Sequence, residues 1–435
     1  MDNIENVSQK LNIENKKASK GFGLKGWATI VYIGLMFWLY VGMVNDGTNI
    51  TAAAFANKIG VTSDVILSMG TPAGFVSIIF FIFFGKLNVK IGAKYTSIIC
   101  MLIAGISYIM LGLSNSVLAY GICLCFVSGS AMSGGYIAGG ALIAQWFPKK
   151  KGMAMGYASF GHNLASALYV PLISILVTNL GISNGVVLPG IIAIVVAIIG
   201  FLYIKNTPME RGLYPDNVTK EIYETEYCTD TDVESSNWTT AKLLKTKEVW
   251  LAGITTGMFQ LVTVGVMSQL VIRNMELGFT LNQAIGLMTV VALIGLPGSW
   301  LCGLIDEKFG TKKYMIIFAL WYIVALAINL TETKIGIYIS IFMIGIAIGG
   351  SDNATVSLPT SIFGRQGYAK ANSVVFPIQG LVTAFCFSFN AISLSLTGSL
   401  RGCYAVSIGL LIINIFIITR VNEYKYNCDM IEINK

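Results

Sequence analysis

Charge is scarce in this sequence. Asp, Glu, Lys and Arg make up 12% of its 435 residues, against about a quarter in an ordinary soluble domain. With 55% hydrophobic residues and a mean hydropathy of +0.71, so few charges cannot give the chain a water-facing surface, and lipid is the solvent it requires. Histidine is scarcer still: His162 is the only one. Without clustered acids beside it, no metal site is expected. No phosphate loop, nucleophile elbow or zinc-protease pattern occurs, so neither an enzyme nor a cofactor is expected. The eight cysteines include no CxxC pair; they lie mostly in apolar runs and read as small buried hydrophobes. Residues 1–25 are polar and Lys-rich and do not read as a secretory leader, so the first long span is expected to act as the insertion signal.

Apolar segments are plentiful. Twelve fall near residues 27–55, 65–87, 95–115, 117–146, 153–178, 185–204, 249–274, 282–305, 313–331, 335–362, 372–396 and 400–420. Each is long enough for a helix to cross the hydrocarbon core, so the expected fold is an all-α polytopic membrane protein. The net charge of +7 sits between these runs instead of on one basic face, which speaks against a nucleic-acid partner. With the N-terminus in the cytoplasm, 25 Lys and Arg fall inside and four (Lys58, Arg273, Lys334 and Arg401) outside. This bias predicts a multi-pass protein of the cytoplasmic membrane with both termini inside.

The expected division is a cytoplasmic tail (1–26), a six-helix half (27–204), a polar cytoplasmic linker (205–248), a second six-helix half (249–420) and a short cytoplasmic tail (421–435). The linker carries Glu210, Asp216, Glu221, Glu224, Glu226, Asp230, Asp232 and Glu234, read as a solvated acidic face. The halves repeat one another. Gly85, Lys90, Gly92 and Lys94 after the second span match Gly303, Lys308, Gly310 and Lys312 after the eighth, 218 positions apart. Trp146-Phe147-Pro148-Lys149 matches Ile362-Phe363-Gly364-Arg365 at 216. Two matches at nearly one offset indicate a duplicated unit, so the two halves are pseudo-symmetric.

These Gly-rich basic loops resemble the signature loop of the major facilitator superfamily. The second copy keeps the expected acid as Glu307, whereas the first has Val89 in its place. The stretches Gln145 to Gly152 and Glu210-Arg211-Gly212-Leu213-Tyr214-Pro215-Asp216 are similar to the oxalate/formate antiporter and monocarboxylate porter branches. The resemblance implies secondary transport by alternating access, with Gly85, Lys90, Gly92, Gly303, Glu307, Lys308 and Gly310 in cytoplasmic gating loops. It also implies that spans one, four, seven and ten line a central path, and that a proton or counter-substrate accompanies the solute. A transporter-derived receptor that binds solute without moving it is the alternative.

Ionisable groups inside a membrane are costly and mark function by default. Asp46 in the first span and Asp352 in the tenth are the clear cases. Each either handles a substrate cation or proton, or is neutralised in place with help from Asn45, Asn49 or Asn353. Spacing puts Asp46 in the outer half and Asp352 past the midplane towards the cytoplasm. His162, near the cytoplasmic end of the fifth span, is a proton relay or a packing residue. Gln269 and Arg273 lie one turn apart near the outer end of the seventh span. Arg273 either binds a carboxylate or stays at the interface, snorkelling or pairing with Glu276. Tyr136, Asn353, Gln379 and Asn390 are further polar candidates. A conflict over cargo follows. The resembled branch implies a small carboxylate held by a buried Lys or Arg in the eighth or eleventh span, yet neither span contains one. The internal charges favour a zwitterionic, cationic or neutral solute, or an anion held only by Arg273 and helix N-termini.

Overall fold

The computed structural model describes residues 21–147, 150–226 and 238–426. Pro148, Lys149, Asp230, Asp232 and Glu234 lie outside the described residues. Among the described residues, eleven helices are long and apolar enough to cross a membrane: α1 (Gly23–Asp46), α2 (Ser63–Ile91), α3 (Ala93–Leu113), α4 (Val117–Trp146), α5 (Met153–Gly185), α7 (Lys247–Met267), α8 (Leu281–Asp306), α9 (Thr311–Leu330), α10 (Lys334–Phe363), α11 (Lys370–Thr397) and α12 (Arg401–Thr419). The remaining helix, α6 (Val187–Tyr203), is apolar but shorter, at the lower limit for a span. The protein is thus an all-helical multi-pass membrane protein. Large apolar side chains such as Ile79, Phe83, Ile198, Phe201, Trp300 and Phe416 point outward, as a lipid-facing surface requires.

The same packing recurs in both halves. Helix α3 lies against α6 and α9 against α12. Small residues bring α8 onto α10, where a Cβ on Gly298 or Gly349 would fall 2.7 Å or less from Ile346 or Ser299. The repeated loops are sharper than the sequence suggested. Gly85 and Lys90 belong to the last turns of α2, and Gly303, Glu307 and Lys308 to the helix that ends at Phe309. Only Gly92 and Gly310 form the turns, with φ of 85° and 84°, a conformation that costs glycine little. The Glu307 side chain is outside the described residues. Each turn leads into a helix whose first N–H groups need acceptors. Asn206, just after α6, accepts from Lys94 N at 2.8 Å, and Glu423, just after α12, accepts from Thr311 N at 2.9 Å. Val89, at the position of the missing acid, is exposed.

One expectation changes. Asp216 is not on a solvated linker face. It is fully buried, and its carboxylate accepts from Lys150 N at 3.0 Å while its carbonyl accepts from Lys150 Nζ at 3.1 Å. Glu210 is also engaged, completing a capping box with Thr207. The first part of the linker is therefore folded onto the N-terminal half, where Lys205 O also accepts from Trp146 Nε1.

Candidate solute-binding cavity

Between the two halves lies a cavity of about 140 Å³, walled by α1, α2, α4 and α5 on one side and by α7, α10 and α11 on the other. Three helices of the N-terminal wall switch to π-helical turns along it, at Val41–Asp46, Gly134–Gly139 and Ala165–Tyr169. Such turns are uncommon and cluster at functional sites. Here they carry Asp46, Tyr136 and Ser166 into the lining.

The structure brings both candidate acids to this one cavity. Asp46 is buried and accepts a short hydrogen bond from the Ser166 hydroxyl. Asp352 is the more open acid, with 40% of its side chain accessible. Its Oδ1 accepts from Gln260 Nε2 at 2.9 Å, and its Oδ2 lies 3.7 Å from His162 Nδ1. His162 therefore sits deeper than its sequence position suggested, facing the opposite half. Phe37 holds the imidazole edge to face at 4.3 Å, and its Nε2 is buried without a hydrogen-bond partner. Tyr136 lines the cavity and packs against Phe376 of α11 at 4.9 Å. Gln379 also lines it, with its Oε1 buried and unpartnered.

Other candidates are placed elsewhere. Asn353 Nδ2 donates to Ser299 O within the C-terminal half. Gln269 marks the break where the seventh helix ends at Met267 and a short helix (Leu270–Glu276) begins; its Nε2 donates to Ser268 O. Arg273 neither snorkels nor reaches the cavity. It is 2% exposed and donates to Glu276 at 3.1 Å, Glu332 at 3.0 Å and Asn329 at 3.1 Å. Asn390 Nδ2 donates to Gly265 O and Ser268 Oγ, splinting the same break from α11.

Asn49 has a different position again. It closes the end of the cavity far from the linker. Its Nδ2 donates to Met267 O at 2.7 Å, and its Oδ1 accepts from Val271 N at 2.8 Å. Thr48 Oγ1 donates to Ser268 O at 2.9 Å, and the Thr71 and Ser388 hydroxyls meet at 2.6 Å. Thr48 and Ser268 are 220 positions apart, close to the repeat offset, so matching parts of the halves meet here. Gln260, Asn163 and Ser166 were not singled out from the sequence. In isolation each is one polar residue in an apolar run; only its phase relative to Asp46 or Asp352 would have raised it.

The Major Facilitator Superfamily profile matches residues 33–386. The chain is 21% identical over 297 residues to the uncharacterised MFS-type transporter YhjX of Escherichia coli (strain K12), covering 67% of this chain and 70% of that protein. It is 27% identical over 236 residues to the oxalate:formate antiporter of Oxalobacter formigenes, covering 52% of this chain and 51% of that one. It therefore spans only about half the length of that antiporter. Among solved structures, the D-xylose-proton symporter superposes with a TM-score of 0.70 at 14% identity, covering 93% of this chain and 99% of the other. An inward-facing bacterial homologue of the lysosomal transporter Spinster gives 0.62 at 16%, covering 92% and 96%. At these identities the structures speak for the fold alone.

Proposed function

The chain belongs to the major facilitator superfamily and is a secondary transporter of a small molecule, not an enzyme; on that premise we propose that the cavity between its halves is the transport site. Solute binds there and is released by rocking of the six-helix halves 27–204 and 249–420 about it. The observation that carries this reading is the wall itself. Both halves contribute to one cavity that holds both intramembrane acids, and inter-half hydrogen bonds from Thr48, Asn49 and Thr71 seal its far end. A site shared by two rigid halves and closed at one end is the arrangement alternating access needs.

The charge bias of the loops supports placing the linker and both termini in the cytoplasm. The far-end seal then faces outward, and the helix ends around Gly92 and Gly310 face inward, as gating elements that slide when the halves rock. Asp352 and His162 are the proposed coupling pair, since they face each other across the two halves and are the groups whose protonation the two halves can sense jointly. Asp46 is held within the N-terminal half by Ser166 and is the second acid of the site.

The test is solute exchange in proteoliposomes with and without an imposed pH gradient. A gradient that drives accumulation in the wild type but not in the Asp46→Asn, Asp352→Asn double variant is the expected result. Unchanged accumulation in that variant removes both carboxylates from the mechanism.

A further inference from the structure

The cavity is rich in acceptors and poor in cations. Asp46 and Asp352 contribute carboxylates, and among the described residues no Lys or Arg lines the wall. Two further oxygens, Asn163 Oδ1 and Gln379 Oε1, are buried there with no hydrogen-bond partner. Asn163 and Gln379 are 8% and 7% exposed, so neither oxygen has bulk water to fall back on. A buried carbonyl without a donor is costly, and the donor that would relieve both is a ligand. The two residues are 216 positions apart, the repeat offset, so the acceptors come as a matched pair, one from each half. Around them stand Tyr40, Phe81, Tyr136, Phe376 and Phe387, whose ring faces attract positive charge.

Resting on the reading of this cavity as the transport site, we propose that the solute is a small protonated primary amine. Its ammonium N–H groups donate to Asp352 and to the Asn163 and Gln379 carbonyls, and its carbon chain lies against the aromatic rings. Asp352 is the first anchor because it is the open acid. Asp46, already engaged by Ser166, is the second. A quaternary ammonium ion satisfies the rings but brings no N–H for the two carbonyls, and a carboxylate meets like charge. The cavity's 140 Å³ is close to the roughly 150 Å³ that accommodates a benzene molecule in a dry protein cavity, so a solute of about six to eight non-hydrogen atoms fits within it.

Putrescine is a suitable probe, being of that size and not freely permeable. The full-length protein in proteoliposomes should exchange labelled putrescine, with tetramethylammonium competing at least tenfold more weakly and oxalate or formate not at all. Asp352→Asn should lower exchange at least tenfold and Gln379→Leu at least fivefold, each with an unchanged melting temperature in detergent. Exchange of oxalate or formate without exchange of putrescine would overturn the amine assignment and leave the transport reading standing. Putrescine exchange indifferent to Asp352→Asn would overturn it equally. If putrescine raises the melting temperature yet no solute is exchanged, the amine site stands and the transport reading falls.

Discussion

His162 Nδ1 and Asp352 Oδ2 lie 3.7 Å apart across the boundary between the two halves. The contact joins α5 to α10 in the middle of the molecule, away from the hydrogen bonds that seal the far end. A group on each half, within reach of the other, makes the free energy of rocking depend on both.

Removing either partner should therefore cost what removing both costs. His162→Gln and Asp352→Asn are each expected to slow exchange at least tenfold, with the double variant no slower than the worse single one. Residues that act as one unit are non-additive in this way. Initial rates in proteoliposomes decide it, and full additivity would show that the two side chains act separately.

The far-end seal predicts a conformational phenotype. Asn49 donates to Met267 O and accepts from Val271 N, and hydrogen bonds of this kind contribute about 1 kcal/mol each. Asn49→Ala should raise opening at that end by at least about fivefold. The measurement is modification of Cys386, a cavity-lining thiol, by an impermeant reagent added from the side opposite the linker, with Cys386 the sole cysteine. An unchanged modification rate would mean that the seal lies elsewhere.

Arg273 illustrates where the sequence was and was not sufficient. Twelve apolar runs, the repeat and the two intramembrane acids were legible because periodicity and charge cost are local properties of the chain. The environment of Arg273 was only partly legible: its pairing with Glu276, three residues on, follows from helical spacing and is present, but the rest does not. Its partners Asn329 and Glu332 stand nearly sixty positions away at the end of α9, and nothing in the local pattern brings them to it. Asp216 was misjudged for the same reason, since its partner Lys150 belongs to a different loop. The cavity itself depends on helical phase, which the π-helical turns shift in a way that no α-periodic reading follows.

Arg273→Ala should accordingly act on stability. It removes the buried cation that holds Asn329 and the more exposed Glu276 and Glu332, a loss of about 1–3 kcal/mol for hydrogen bonds from a charged group. A melting temperature lowered by several degrees, with the KM for solute unchanged in the protein that remains folded, is the expected pattern. A raised KM at constant melting temperature would return Arg273 to the binding site.

Two glycines of α5 make a matched pair. A Cβ on Gly161 would fall 2.0 Å from the Gly34 carbonyl oxygen of α1, whereas one on Gly156 would meet nothing within 4 Å. Gly161→Ala should destabilise by about 1–3 kcal/mol, because a backbone oxygen cannot swing aside. Gly156→Ala should be neutral or stabilising by up to about 1 kcal/mol through helix propensity. Thermal unfolding of both variants in one detergent is sufficient, and equal effects would disprove the close α1–α5 crossing.

The π-helical turns that carry Asp46, Tyr136 and Ser166 into the cavity have a consequence for how such a site changes over generations. Each fits one residue more into a turn than the α-helix it interrupts, so the extra residue is absorbed locally and the helix beyond keeps its facing. A single-codon deletion in one of these turns would restore a plain α-helical turn, reshaping the cavity wall at that point while leaving the rest of the helix in register.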